Sequence, residues 1–350
     1  MSDVQCTYCA RRCRLSEGGG GYCGMYAAAN GPGGPSIVER YPRRYSSLNV
    51  NHIESVPFFH FQPGSRTMVL GGAGCNLDCR YCSNAHLARS EPEPLLVYEL
   101  APERVVRLTQ QHGCHNIAFA INEPSVAVPT LMDVVDCAAA AGLPVGVLTN
   151  GYLPAETARL FGQAFAFVNV SIKGWHDAFY ARNTGVPSVK PVLRTLEILA
   201  EMTHVEVSTP IVQGLNDDDI PAIAGFIRDL NPLIPWHVFR LLPEYKMADA
   251  ARPNVDVVNA ALDGAREILA FVYFGNFVGS QWVSTRCPQC GSTAVKRINL
   301  SGCASKAVAY ALTVDHRCAA CGADLNISGK AVTWHSEDEG TWAMQPARSA

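Results

Sequence analysis

The chain has little net charge, no long uncharged apolar run and no basic stripe. Its 350 residues carry 28 Lys and Arg against 31 Asp and Glu, a formal charge of −3, and charged residues make up only 17%. That balance excludes broad electrostatic binding to nucleic acid or anionic membranes, which needs concentrated positive charge. Basic residues are not interleaved with aromatics along any stretch, so a second nucleic-acid signature is missing. No segment is long and apolar enough to span a bilayer, and Met1 to Cys9 hold no basic stretch leading into an apolar one. These absences lead us to expect a cytoplasmic protein with no membrane partner and no nucleic-acid partner. No internal repeat appears beyond an alternation of apolar runs and helical patterns.

What the chain has in abundance is cysteine. Of fourteen, eleven fall into three tight groups with metal-ligand spacing, which fits a reducing compartment and metal sites better than disulfides. Cys114, Cys137 and Cys303 are left over, and Cys137, within Leu131 to Ala141, is expected to pack as a small hydrophobe. The central group is Cys75, Cys79 and Cys82, on a glycine-flanked loop after the apolar run Thr67 to Leu70. Three thiolates at this spacing can hold three corners of a four-iron cluster and leave the fourth iron open. An open iron is a site for chemistry, whereas a cluster closed by four cysteines usually carries electrons.

From Thr67 to about Asn276, short β-branched runs alternate with longer helical patterns. The strand candidates are Thr67 to Leu70, Ile117 to Ile121, Val145 to Leu148, Phe167 to Ile172, Val205 to Val212 and His237 to Leu242. Helices are expected from Pro102 to about Gly113, from Pro129 to Gly142, from Pro154, from near Val189, and after Asn216 and Asp217, read as N-caps. Strand then helix, six times over, predicts an α/β fold with parallel strands, an open partial (β/α)6 barrel. The polar clusters Asn122-Glu123, Thr149-Asn150, Ser171 with Lys173, and Asn216-Asp217 all fall at carboxyl ends of strands, where barrels place their active sites. The expected divisions are a Cys-rich metal-binding segment over 1–66, the barrel over 67–282, a zinc-ribbon-like module over 283–335 and a frayed tail over 336–350.

Several separated blocks together carry a resemblance. Cys6-Thr-Tyr-Cys9-Ala-Arg-Arg-Cys13 with Gly21-Tyr22-Cys23-Gly24, then Pro57 to Ser65, the cysteine loop, Asn122-Glu123-Pro124 and Pro235-Trp236-His237 resemble the radical SAM enzyme of the AmmeMemoRadiSam system, related to the pyruvate formate-lyase activating enzyme. The resemblance spans Cys6 to roughly Cys290. It implies a radical SAM barrel, a 4Fe-4S cluster on Cys75, Cys79 and Cys82, and S-adenosylmethionine (SAM) on the open iron. Tyr81 stands where such enzymes carry an aromatic residue. Asn122 and Glu123 would hold the amino group of SAM, and Lys173 and His237 match positions facing its carboxylate and ribose. Where activating enzymes have Asp-Ile-Lys, this chain has Ser171-Ile172-Lys173, which removes a negative charge from the site. The resemblance implies a reaction that yields methionine and a 5'-deoxyadenosyl radical, and Memo-like or AMMECR-like partners, but no particular substrate; we expect hydrogen to be taken from a protein or peptide, with flavodoxin or ferredoxin as electron donor. The alternatives are radical modification of RNA or a small metabolite, and a non-enzymatic electron carrier or sensor. A carrier has no need of Asn122, Glu123 and Lys173 around an open iron.

Two further cysteine groups flank the barrel. Cys6, Cys9, Cys13 and Cys23 can close an iron–sulfur cluster or a zinc site, as a structural knot or as an auxiliary cluster that relays electrons or meets substrate. Arg11, Arg12 and Arg14 beside them read as a solvated face. Cys287-Pro-Gln-Cys290-Gly and Cys318-Ala-Ala-Cys321-Gly read as paired zinc-ribbon knuckles, each offering two thiolates to one tetrahedral ion.

Overall fold

Seven short runs of mostly apolar residues form parallel strands in chain order in the computed structural model, which describes residues 3–31, 34–301, 304–333 and 342–345. An antiparallel strand, β1 (Ser47–His52), precedes them. The parallel set is β2 (Arg66–Gly71), β3 (Asn116–Phe119), β4 (Val145–Thr149), β5 (Phe167–Ser171), β6 (His204–Ile211), β7 (Trp236–Arg240) and β8 (Val272–Gly275). The six expected strands are all present, and β8 adds a seventh. The sheet stays open, with β8 at one edge and, beyond β1, the two-residue strand Trp342–Ala343 at the other.

Helices connect the strands. The first, α1 (Ala85–Arg89), follows the cysteine loop; α2 (Pro102–Gln111), α3 (Val128–Ala140), α4 (Ala155–Ala164), α5 (Asp177–Asn183), α6 (Lys190–Ala200), α7 (Ile220–Leu230) and α8 (Val255–Ile268) pack outside the sheet. Proline in the first turn of α2, α3, α6 and α7 helps to start them, because its missing N–H has no partner to lose there. Asn216 and Asp217 are not the N-caps of α7. Asn216 instead accepts from the Val212 N–H at 2.7 Å and donates to the carbonyls of Lys173 at 2.8 Å and Pro210 at 2.9 Å.

Strand alternation sorts the side chains into two environments. On β5, Val168 and Val170 join the helix-covered core, while Phe167 packs on Phe58 and Phe61. The segment from Ile53 to Phe61 therefore fills the inner face, held by Asn169 Nδ2 donating to the Pro57 carbonyl at 2.8 Å.

The C-terminal module is a three-stranded antiparallel sheet of Thr285–Arg286, β9 (Thr293–Ser301) and β10 (Ala304–Tyr310). Arg297, fully buried, inserts from it into the body, where it pairs with Glu54 at 3.4 Å and covers the Phe59 ring. In the segment expected to be a frayed tail, Trp342–Ala343 instead forms β11, paired with Val50 and Asn49 of β1, and Trp342 stacks on His112. The stacked indole and the ladder offset the entropy of ordering that end. Cys303 and the tail residues 336–341 and 346–350 lie outside the described residues. Cys137 packs against the main core as expected.

Candidate active site

Cys75, Cys79 and Cys82 lie between β2 and α1, at the carboxyl side of the sheet. Asn122 braces their loop. Its Oδ1 accepts from the Gly72 N–H at 2.7 Å, and its Nδ2 donates to the carbonyls of Ala73 at 3.0 Å and Gly74 at 3.2 Å. Both ends of the amide are committed to backbone, so the residue expected to hold an ammonium of SAM serves here as loop support. Just before it, Ile121 has φ +80°. A β-branched residue there costs on the order of 1–3 kcal/mol, and such strain persists only where the surroundings over-determine it. Asn84 Nδ2 supplies one constraint by donating to the Ile121 carbonyl at 2.7 Å.

Glu123 caps the short turn Pro124–Val126 and joins two strand ends, those of β3 and β4. Its Oε1 accepts from the Ser125 N–H at 3.1 Å and the Thr149 hydroxyl at 2.8 Å, and its Oε2 accepts from the Asn150 N–H at 2.8 Å. Burial raises its pKa, and these hydrogen bonds work against that rise. Asn150 then reaches the cysteine loop, with Nδ2 2.6 Å from Asn76 Oδ1 and 3.7 Å from Cys75 Sγ. Asn76, which sequence reasoning missed, is buried and also receives Arg11 Nε at its carbonyl.

Burial pushes the Cys79 thiol up to about 11 and raises Cys75 and Cys82 as well. For Cys75 the charge of Glu123 adds to the rise. Two cations oppose it: Lys173 beside Cys79 and Cys82, and Arg89 near all three. Arg89 donates to the Cys75 carbonyl, and its buried Nε has no partner among the described residues. Nothing in Ala85 to Ser90 marks this arginine in the sequence; only the path of α1 returns it to the loop. Lys173 is held by its backbone, through its N–H to the Tyr180 hydroxyl at 3.1 Å and its carbonyl to Asn216. Among the described residues its ammonium has no hydrogen-bonded partner. Ser171 faces Ser208 across the β5–β6 ladder, and the buried Ser208 hydroxyl is unpartnered among the described residues. Tyr81 puts its ring into the main core, with its hydroxyl buried and unpartnered.

His237, on β7, pairs with Ser208 of β6 and so stands level with Ser171 of β5, and its Nε2 lies 2.6 Å from Glu206 Oε2. Glu206 also accepts from the N–H groups of Phe59 at 2.9 Å and His60 at 2.8 Å, and from His204 at 3.1 Å. A motif gives the strand and the height, but not the partner that the side chain meets there. The adjoining donor chain runs from Arg297 to Thr285 at 2.7 Å, on to the Tyr273 hydroxyl at 2.7 Å, to His60 Nε2 at 2.6 Å, and from His60 Nδ1 to the Leu325 carbonyl at 2.7 Å.

Of the other cysteines, Cys287, Cys290, Cys318 and Cys321 have all four sulfurs within 4.8 Å of one another and could hold one metal ion. Cys287 and Cys321 are 3.5 Å apart, Cys290 and Cys318 3.7 Å. Cys6, Cys9, Cys13 and Cys23 line one small recess. Arg11 and Arg12 are not simply a solvated face. Arg11 donates to the carbonyls of Asn76 and Gly185 and lies 3.5 Å over the Tyr22 ring, and Arg12 pairs with Glu156.

The profile of the Radical SAM superfamily matches residues 69–227. The chain is 30% identical over 330 residues to uncharacterized protein MJ0808 of Methanocaldococcus jannaschii, covering 93% of this chain and 95% of that one. It is 29% identical over 166 residues to a probable GTP 3',8-cyclase of Methanosarcina acetivorans, covering 44% of this chain and 48% of the other. It is 26% identical over 187 residues to the isethionate sulfite-lyase activating enzyme of Desulfovibrio desulfuricans, covering 49% and 58%. Among solved structures, Streptococcus suis SuiB bound to S-adenosylmethionine gives a TM-score of 0.48 at 13% identity, over 59% of this chain and 49% of that one.

The chain belongs to the radical SAM superfamily, whose members are enzymes. The family implies a 4Fe-4S cluster and SAM. Three thiols on one braced loop, an unpartnered lysine ammonium and the unpartnered Arg89 Nε and Ser208 Oγ fit those groups. No helix among the described residues is long and apolar enough to cross a membrane.

Proposed function

We propose that the chain is an activating-enzyme-like radical SAM enzyme that acts on a protein or peptide. Bound at Cys75, Cys79 and Cys82, a reduced four-iron cluster would supply the electron that cleaves SAM to methionine and a hydrogen-abstracting 5'-deoxyadenosyl radical. The chain's own residues position and insulate. Asn122 and the Glu123–Thr149–Asn150 network fix the loop; Lys173, with its free ammonium, pairs with the SAM carboxylate; Arg89 offsets the negative charge of the thiolates. A flavodoxin- or ferredoxin-class protein would supply the electron. Support for a protein substrate comes from the relative named as an activating enzyme. The relative named a GTP cyclase favours a small-molecule substrate as the second reading. The C-terminal four cysteines are proposed to hold zinc, since a tetrahedral ion with Zn–S near 2.3 Å sets sulfurs about 3.8 Å apart. The divisions 1–66, 67–282 and 283–335 remain our proposal for the chain's organisation.

The observation that carries the reading is the three-cysteine loop with Lys173 and Arg89 gathered at the strand ends. Changing Cys75, Cys79 and Cys82 together to Ala in anaerobically reconstituted protein should abolish the release of methionine from SAM under reducing conditions. Methionine release by that variant would overturn the reading.

A further inference from the structure

The four N-terminal thiols differ from the C-terminal four in one measurable respect. No three of Cys6, Cys9, Cys13 and Cys23 bring their sulfurs within 4.8 Å of one another, although all four line one recess. Cys75, Cys79 and Cys82 form no such tight group either, whereas Cys287, Cys290, Cys318 and Cys321 do. The difference has a chemical meaning. A single tetrahedral ion draws its thiolates to about 3.8 Å, whereas an iron–sulfur cluster sets irons and sulfides between them and holds them apart. The chain thus carries its own calibration, and the N-terminal group falls with the cluster loop.

The position of the group is equally specific. Asn76 and Ser125, both part of the network around Cys75, form one wall of the recess. The Ala10 N–H donates to the Tyr152 carbonyl at 3.0 Å, the Thr157 hydroxyl to the Thr7 carbonyl at 3.1 Å, and the Tyr26 hydroxyl to the Ser125 carbonyl at 3.0 Å. The Cys23 carbonyl abuts Gly74, the residue before Cys75. Backbone of one thiol group therefore touches backbone of the other.

We infer that Cys6, Cys9, Cys13 and Cys23 hold a second iron–sulfur cluster, closed by four thiolates, that passes electrons to the cluster on Cys75, Cys79 and Cys82. One electron enters from a reduced flavodoxin- or ferredoxin-class protein and the same electron leaves to the neighbouring cluster, so no bond or proton changes hands at the relay. Four thiolates leave no open iron, which suits transfer and not SAM binding. The relay role rests on the function proposed above; the identity of the bound group does not.

Anaerobic reconstitution with iron and sulfide, followed by iron, sulfide and zinc counts, tests the site. About eight irons per chain are expected in the natural protein and about four in the variant with Cys75, Cys79 and Cys82 changed to Ala. The residual paramagnetic signal of that reduced variant should be insensitive to added SAM. Zinc or no metal at the N-terminal thiols of that variant would overturn the inference, whatever becomes of SAM cleavage. Retention of about four irons by a protein that cannot cleave SAM would instead sink the proposed function and leave the second cluster standing. For the relay, reduction of the SAM cluster by reduced flavodoxin should slow at least tenfold in Cys9→Ser/Cys23→Ser, and an unchanged rate would overturn that role.

Discussion

Gly74 and Cys23 meet backbone to backbone: a Cβ placed on Gly74 would stand 2.5 Å from the Cys23 carbonyl oxygen and 2.8 Å from Met25 Cγ. Gly74 also has φ +77°, where L side chains are strained. The cysteine loop and the N-terminal thiol group can adjoin only because this residue lacks a side chain.

Gly74→Ala should therefore separate the two groups. The left-handed backbone and the clash together predict a loss on the order of 1–3 kcal/mol in stability. Limited proteolysis should cut the N-terminal segment in the variant before it cuts the barrel. Wild-type protection of that segment would show that the contact does not hold it.

Glu123 and Lys173 should respond differently to loss of charge. Glu123→Gln sets its amide NH2 against the Ser125 N–H or the Asn150 N–H, whichever way the amide turns, so it should cost about 1–3 kcal/mol and loosen cluster retention. Lys173→Met should leave folding and cluster absorbance intact while weakening SAM binding about tenfold, worth ~1.4 kcal/mol. Calorimetric titration of SAM into both folded, reconstituted variants distinguishes them. Unchanged affinity in Lys173→Met would remove that lysine from the site.

The chemistry of the site was legible where it depends on spacing along the chain, and hidden where it depends on the chain's return path. Cys75, Cys79 and Cys82 share one loop, and Glu123, Thr149, Asn150 and Lys173 follow strands whose apolar runs are plain. β8 escaped notice because Val272 to Gly275 is only four residues long. β1 was readable in principle, since Leu48 and Val50 alternate with polar neighbours. That His237 meets Glu206 of the neighbouring strand is not written in its own motif. Arg89 and Asn76 reach the site only through the fold of the loop and α1, which no local pattern encodes.

The buried network around Glu206 makes the protein sensitive to acid. Burial disfavours charge on Glu206, yet hydrogen bonds from His204 and His237 hold its carboxyl well below the usual range. Burial also lowers His60 to about 3. The unfolded chain protonates His60 below about pH 6.5 while the folded protein does not, so stability should fall from there downward by up to about 1.4 kcal/mol per pH unit. Below about pH 4.3 the unfolded Glu206 also takes a proton that the folded carboxylate refuses, and the fall steepens. Urea unfolding midpoints from pH 7 to pH 4.5 should show the slope, and His60→Gln should flatten it. An equal slope in His60→Gln would mean that other groups set the acid response.

The C-terminal thiols should make that same network depend on a metal. Cys287 and Cys318 are buried, and their sulfurs lie 3.5 Å and 3.7 Å from those of Cys321 and Cys290. Zinc held there would fix the knuckles, and with them Arg297 against Glu54 and the Leu325 carbonyl against His60. Replacing Cys287 and Cys318 by Ser should remove one zinc per chain and leave the iron content unchanged. Structural zinc sites bind with apparent energies of about 10–16 kcal/mol, so even partial coupling to folding should lower the melting temperature by many degrees. The loss should spread beyond the module, because Arg297 without its strand would leave Glu54 buried and unpaired. Hydrogen exchange should accordingly rise in the Ile53 to Phe61 segment as well as in β9 and β10. Iron in place of zinc, or unaltered exchange at Ile53 to Phe61, would show that the module neither takes this metal nor anchors the barrel.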